Sequence, residues 1–455
     1  MRVLALIAAA LLMQPVYGSE AIPTGGGWAL LSAPGSLPAF HFHSAEAETL
    51  SLRVCFAASG ILDESSPAPD RILFEFMTLA GRNIPRAELD RVKDGGGIII
   101  DGQSGLEYSH IFAAAVPDET KRALGILSSL MYAPCQNEEL FAEVRAQTAN
   151  ELLRQEGQAY SALDRGLKKT ILADHPYGRY YALTADALGR VSLADALAHH
   201  EKIMTDGKIF IVSCGPQTAD EMESLIQTYF PARRVPADGF AKDGKVSIPS
   251  FPEAKNETAF FPHRAANMPY LKAEFAMAGP GSASYPASLV LARVLSEMLM
   301  EKVRSDKGLV YSVWASPPAR ARAASAELVL YRANDPDAAV RAMRETILSL
   351  QRDMAKTDTG AHFEEAVLAA KNQIACTLAV QNITPRERCA NFASWYLAGG
   401  GKTGTAGLLD ATLRITPDAI ISLAKNSFAR MHWGIAHDPA AAEPSEIQWT
   451  LEETR

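Results

Sequence analysis

The sequence is poor in cysteine and has no paired arrangement of it. Five cysteines occur in 455 residues, and none of them forms a C-x-x-C pair. This absence excludes a zinc ribbon and a thioredoxin-like redox motif. Cys55 and Cys214 lie in strand-like runs, where a free cysteine is usually a small buried hydrophobe. One or two disulfide bonds remain possible, and the spacing of the cysteines does not show which of them would pair.

Positive charge is also in short supply. The chain has 44 Lys and Arg residues against 52 Asp and Glu residues, a net charge of -8, and it contains no basic block. This balance argues against a nucleic-acid partner. After the N-terminus, no stretch is long and apolar enough to span a bilayer.

The N-terminal sequence MRVLALIAAALLMQPVYGSEA is typical of a secretory signal peptide. It combines one arginine, an apolar run from Val3 to Met13 and small residues near Gly18 and Ala21. The run is about half the length that a spanning helix needs, which favours a signal peptide over a membrane anchor. We predict a signal peptide over residues 1–21, cleaved after Gly18 or Ala21, and a periplasmic or secreted protein.

Hydrophobic periodicity predicts a similar series of elements twice. The predicted strands and helices of the first series are 50–56, 70–81, 97–101, 106–116, 118–133, 138–171, a helix after Ser192, 208–214 and 218–229. Those of the second are 270–279, 285–303, 309–315, 326–332, 336–354, 362–381, helices after Thr384 and Thr416, and 431–436. Asp70 is predicted to cap the helix at 70–81.

The two series indicate an internal duplication. Matched elements lie about 220 residues apart, a period far longer than that of solenoid repeats. Residues 231–256 contain four prolines and read as a linker. We therefore predict two homologous α+β domains, 22–230 and 257–455, each with a mostly antiparallel sheet packed with helices.

Taken in order, several motifs make the chain resemble the pitrilysin-like metallopeptidases, in the branch that includes the mitochondrial processing peptidase. They are GILDE (60–64), the helix at 70–80, the glycines at 95–97, YAP (132–134), HPYG (175–178), RSDKGLVYSV (304–313) and RITPDAI (414–420). Members of that family bind zinc through H-x-x-E-H on a first-domain helix and a glutamate about 75 residues further on.

At the zinc-motif positions this sequence departs from the family. The histidine places are held by Ile72 and Phe76, while Glu75 holds the general-base place and Glu151 the place of the third ligand. A catalytic zinc site has three protein ligands, which these residues do not supply. The resemblance therefore implies a degenerate motif and no metal site in this chain. Ordinary helix carboxylates are an equally good interpretation of Glu75 and Glu151.

The resemblance also implies a role for Arg304 and Tyr311. Active members complete their site with an arginine and a tyrosine of the second domain in the spacing R-x6-Y, which these two residues match. A phenol and a permanently charged guanidinium are suitable donors to a carbonyl that becomes an oxyanion. The alternative is an arginine at a helix end and a tyrosine that packs on the sheet.

In some relatives the active site is shared by two chains. One chain binds the zinc, and the other carries the Arg/Tyr pair. We therefore predict the non-zinc subunit of a heterodimeric zinc endopeptidase, with zinc in a homologous partner and no cofactor in this chain. Its substrate would be an unfolded peptide that adds as a strand to a sheet edge. A homodimer remains open where the partner is missing. The alternative function is an inactive structural or peptide-binding relative within an envelope complex, as the core subunits of the mitochondrial cytochrome bc complex are.

Overall fold

A computed structural model describes residues 22–23, 27–31, 36–57, 67–205, 208–231, 250–253, 258–352, 360–400, 404–428 and 430–440. The predicted signal peptide, most of the predicted linker and the GILDE segment lie outside these residues. Below, residues up to 231 are called the first half and residues from 250 onward the second half.

Each half contains one mixed sheet. The first sheet consists of β1 (Ile22–Pro23), β2 (Trp28–Leu31), β3 (Ala39–His43), β4 (Leu50–Phe56), β5 (Ile98–Gln103), β6 (Ser109–Ala115) and β7 (Ile209–Gly215), in the order β1-β2-β3-β7-β4-β6-β5. The second consists of β8 (Thr258–Pro262), β9 (Tyr270–Ala276), β10 (Val310–Ser316), β11 (Ser325–Ala333) and β12 (His432–His437), in the order β10-β11-β9-β12-β8.

Helices cover these sheets. Those of the first half are α1 (Ala68–Met77), α2 (Arg86–Gly95), α3 (Thr120–Tyr132), α4 (Glu138–Glu156), α5 (Ala159–Ile171), α6 (Gly178–Tyr181), α7 (Ala185–Gly189), α8 (Leu193–Thr205) and α9 (Ala219–Tyr229). Those of the second are α10 (Tyr285–Leu299), α11 (Pro336–Arg352), α12 (Gly360–Val380), α13 (Pro385–Trp395), α14 (Gly404–Leu413) and α15 (Pro417–Ser427). None of the described helices combines the length and the apolar character needed to cross a membrane.

The second sheet repeats the topology of the first. The order β3-β7-β4-β6-β5 corresponds to β8-β12-β9-β11-β10, and the single parallel pair of each sheet lies at the same place, between β3 and β7 and between β8 and β12. The remaining neighbours are antiparallel. The predicted α+β class, with two homologous and mostly antiparallel sheets, is confirmed.

One helix of each half packs on the sheet of the other half. Helix α13 lies on the first sheet against β4 and β7, where Phe392 stacks on Trp28 at 4.0 Å between ring centroids. Helix α5 lies on the second sheet against β12, β9 and β8. Every residue of β4 is buried for this reason, since α13 covers the second face of the strand.

Two expectations about local structure were wrong. The single helix predicted over 138–171 is two helices, because the chain turns at Gly157 and Gln158 adopts an extended backbone before α5. Asp70 does not cap α1, which begins at Ala68 after Pro67. Its carboxylate is buried instead and accepts hydrogen bonds from Ser104 (2.5 Å) and Ser109 (2.8 Å).

Candidate functional site

The chain brings Arg304 and Tyr311 together across a tight turn. Helix α10 continues into a wider π-helical turn, Met300–Ser305, which carries Arg304. Gly308 then adopts a left-handed backbone with a φ of 62°, and its amide donates to the Arg304 carbonyl at 2.9 Å before β10 begins. Glycine suits this conformation because it has no Cβ. The Arg304 guanidinium carbon consequently lies 6.0 Å from the centroid of the Tyr311 ring.

Both side chains of this pair face solvent. Tyr311 is 64% exposed and lies on β10, the strand at the free edge of the second sheet. Arg304 is exposed as well. Its guanidinium donates a weak hydrogen bond to the sulfur of Met300, with 3.6 Å between the nitrogen and the sulfur. No carboxylate forms an ion pair with Arg304 among the described residues. The guanidinium and phenol therefore keep their donors available for a ligand.

The strand pairing is irregular at Tyr311. The register pairs Val310 with Ala333 and Ser312 with Tyr331, and it skips Tyr311 and Arg332 between them. Arg332 has a φ of 57°, in the left-handed region that a non-glycine residue seldom adopts. Its Nε atom is buried without a hydrogen-bond partner. The sheet edge therefore contains local backbone strain directly beside the Arg304–Tyr311 pair.

At the two histidine places of the zinc motif, the side chains belong to the hydrophobic core. Ile72 and Phe76 are fully buried in the main cluster of the first half, and the Phe76 ring lies edge-on to Phe141 at 5.2 Å. Apolar side chains in a dry core offer no ligand atom to a metal ion. The two motif glutamates lie at the surface instead.

Glu75 and Glu151 have separate surroundings. Glu75 lies on α1 and is classed as exposed. The surrounding atoms of the chain still remove part of its hydration, which raises the pKa of its carboxyl, and the charge of Arg71 opposes this rise. Glu151, on α4, accepts hydrogen bonds from Arg154 (2.7 Å) and Gln155 (2.8 Å), which lower its pKa. No hydrogen bond or ion pair joins either glutamate to Arg304 or Tyr311 within the described ranges.

An acidic cluster elsewhere imitates a metal site. Asp164, Glu274 and Glu327 hold carboxylate oxygens within 4.8 Å of one another, the one such trio in the part of the chain that the structure describes. Two ammonium groups already occupy the centre. Lys272 contacts all three carboxylates, and Lys168 lies 2.8 Å from Asp164 and 3.0 Å from Glu327. The cluster is therefore a buried ion network that joins α5 of the first half to β9 and β11 of the second.

A cavity of about 250 Å³ next to α1 was missed by the sequence reasoning. Its lining includes Arg71, Tyr160, Arg165 and Tyr180. The Tyr160 ring also contacts Trp314 of β10 at 6.1 Å between centroids, so the cavity lies one side chain away from the edge strand of the second half. The only sequence signal was the position of Arg71, immediately before the degenerate motif.

Residues 190–367 match the family model described as the peptidase M16 inactive domain. No curated protein sequence matches the chain. Among solved structures, the peptidase M16 inactive domain from Pseudomonas fluorescens is similar, with a TM-score of 0.74 and 16% identity over 92% of this chain and 99% of that chain. A protease from Helicobacter pylori has a TM-score of 0.75 and 12% identity over 90% of this chain and 98% of that chain.

The periplasmic protease PqqL from Escherichia coli is also similar, with a TM-score of 0.73 and 12% identity over 94% of this chain. Since the match covers 48% of PqqL, the present chain spans about half of that protein. At these identities the structural likenesses establish the fold. Residues 190–367 are thus similar to the peptidase M16 inactive domain, and the chain has the fold of these solved structures, with the apolar Ile72 and Phe76 buried in its core.

Proposed function

We propose that the chain is the non-zinc subunit of a heterodimeric zinc metalloendopeptidase, to which it contributes substrate binding and oxyanion stabilisation. The observation that carries this proposal is the contrast between two positions. Ile72 and Phe76 have become core residues, whereas Arg304 and Tyr311 remain exposed and side by side on a free sheet edge. A homologous subunit with an intact H-x-x-E-H would complete the site.

The geometry suggests how the pair would act. An extended peptide can add to the free edge of β10 through main-chain hydrogen bonds, which places its carbonyl groups beside Tyr311. The Tyr311 hydroxyl and the Arg304 N–H groups would donate to the scissile carbonyl oxygen as negative charge develops on it. Zinc bound in the partner would supply the activated water. This chain alone would then bind peptides and leave them intact.

The cellular location belongs to the same proposal. The signal-like segment at residues 1–21 supports export, so that unfolded peptides of the periplasm or the exterior would be the substrates.

The test is reconstitution of cleavage. The purified chain should contain no stoichiometric zinc and should not cleave an unfolded fluorogenic peptide, and addition of a zinc-bearing homologous subunit should produce cleavage. In the reconstituted pair, Tyr311→Phe should lower kcat by on the order of 10²-fold, the usual effect of removing one oxyanion donor. Tyr285→Phe is the matched control, since Tyr285 lies at the start of α10 and packs near Trp395.

Two results would count against the shared site. A Tyr311→Phe pair that cleaves at the rate of the Tyr285→Phe pair would remove the oxyanion role. Failure of zinc-bearing homologues to restore cleavage, combined with co-purification of an envelope complex, would favour the inactive structural or peptide-binding function instead.

A further inference from the structure

The cavity beside the degenerate motif, hereafter the Arg71 pocket, is lined by five helices of the first half. Helix α1 supplies Arg71, α4 supplies Leu152, α5 supplies Tyr160 and Arg165, α6 supplies Tyr180, and α7 supplies Leu188. Its volume of about 250 Å³ lies below the usual range of about 300–1,000 Å³ for small-molecule sites. The pocket therefore suits one side chain or one chain end rather than a whole peptide.

Arg71 enters this pocket without a carboxylate partner. Its guanidinium carbon lies 5.8 Å from the centroid of the Tyr180 ring, a cation–π contact that leaves the N–H donors free. No ion pair of Arg71 occurs among the described residues. The second arginine of the pocket differs, because Arg165 donates to the Leu183 carbonyl and lies 3.6 Å from Glu156.

Among the residues that line the pocket, two arginines stand against one acidic residue, Asp164. The Asp164 carboxylate is already engaged by Lys168 and Lys272, which it shares with two further carboxylates of the ion network. Glu75 and Glu151 stand close enough for the Arg71 charge to lower the pKa of each carboxyl, but neither forms an ion pair with it. Arg71 is thus a half-buried cation whose charge no contact within the described residues neutralises.

We propose that the Arg71 pocket binds a carboxylate of the bound peptide, so that the protein selects peptides with an acidic side chain or a free C-terminus. A guanidinium suits a planar carboxylate because its donors form a fork that matches the two oxygens. Leu152 and the tyrosines give the pocket partly apolar walls, and a lower local dielectric strengthens such a contact. Tyr160 separates the pocket from Trp314 of β10, so a peptide on that edge passes one aromatic ring away. This inference rests on the proposed peptide-binding function and adds its specificity.

The test is peptide binding by the purified full-length chain, measured by fluorescence anisotropy with three labelled peptides. All share one extended sequence: one has a single Glu and a C-terminal amide, one has Gln in its place and an amide, and one has Gln and a free C-terminal carboxylate. The Glu peptide, the free-acid peptide or both should bind about tenfold or more tightly than the neutral peptide, since hydrogen bonds to charged groups are strong. Which of the two binds tightly identifies the source of the carboxylate.

Arg71→Met should abolish this preference and leave binding of the neutral peptide unchanged, while Arg71→Lys should retain part of it. Arg154→Met is the control, because Arg154 is an exposed arginine that pairs with Glu151 and does not line the pocket. If Arg71→Met keeps the full preference, or the wild-type chain binds the three peptides equally, the inference is overturned and the proposed function stands. If the chain binds none of them, both are overturned.

Discussion

Substitution of Lys272 by methionine should destabilise the protein more than loss of any surface ion pair. Lys272 lies on β9 and is fully buried, yet it carries an ammonium group. Burial alone would lower its pKa, but Glu274 and Glu327 outweigh that effect and raise it, so the group stays charged. Methionine has a similar length and no charge, so the variant removes the charge and keeps most of the packing.

The size of this destabilisation follows from the carboxylates that lose Lys272 as a partner. Without Lys272, the fully buried Glu274 loses a partner at 3.0 Å and keeps only Lys168 at 3.9 Å among the described cations. Removal of one member of a buried ion pair costs about 3–5 kcal/mol, because the other charge stays desolvated and uncompensated. Glu274→Gln should cost less, about 1–3 kcal/mol, since Lys272 then retains Asp164 and Glu327.

The assay is urea unfolding followed by circular dichroism and tryptophan fluorescence, with the free energy of unfolding obtained from midpoint and slope. Lys307→Met is the matched control. Lys307 pairs with Glu345 at 2.9 Å, but the two side chains are 47% and 69% exposed, so its loss should cost about 1 kcal/mol or less. If Lys272→Met and Lys307→Met shift the midpoint equally, the ion network does not stabilise the junction of the halves.

The ion network around Lys272 and the degenerate zinc motif on α1 each give one more prediction. The lysines outweigh burial and lower the pKa of Asp164 and Glu327 from ordinary values of 3.8 and 4.5. The stability that these carboxyls supply is therefore fully present above those values, and it is lost as the pH falls from them through the lower pKa values of the folded state. Urea midpoints measured from pH 7 to pH 3 should decline below about pH 4.5, and a smaller decline in Lys272→Met would confirm the source. Phe76→Ala should cost about 3–5 kcal/mol in urea unfolding as a core truncation, against about 0.5 kcal/mol for the exposed Glu75→Ala; equal costs would show that position 76 is not core.

Much of the fold could be predicted because its signals are local. The helix starts after Ser192, Thr384 and Thr416 follow from side chains that accept a hydrogen bond from the backbone amide three residues later, and the structure shows all three bonds. The alternation of apolar and polar residues within strands, and the return of matched elements after about 220 residues, likewise indicated two similar sheets. Such features depend on a few neighbouring residues and need no knowledge of tertiary contacts.

The features that were missed depend on distant contacts. Strand β8 is short and pairs in parallel with β12, about 170 residues further on. Periodicity over five residues does not reveal such a pairing. Asp70 was predicted to be a helix cap because its partners, Ser104, Ser109 and His199, come from other parts of the chain. The exchange of α5 and α13 between the halves is invisible for the same reason. The Arg71 pocket was missed because five separate helices line it.

The backbone at β10 bears on whether Arg304 and Tyr311 do more than support the fold. A residue in a left-handed backbone costs on the order of 1–3 kcal/mol unless it is glycine, and the buried, unpaired Nε of Arg332 adds to that cost. A sheet edge that served packing alone would be more stable with a regular ladder at this position. The interruption instead coincides with Tyr311, which is 64% exposed and lies beside Arg304, a residue with no ion pair among the described residues. Strain of this kind clusters at binding and catalytic sites, where it sets the direction of a side chain. The strained edge thus favours a ligand-facing role for the pair over a purely structural one.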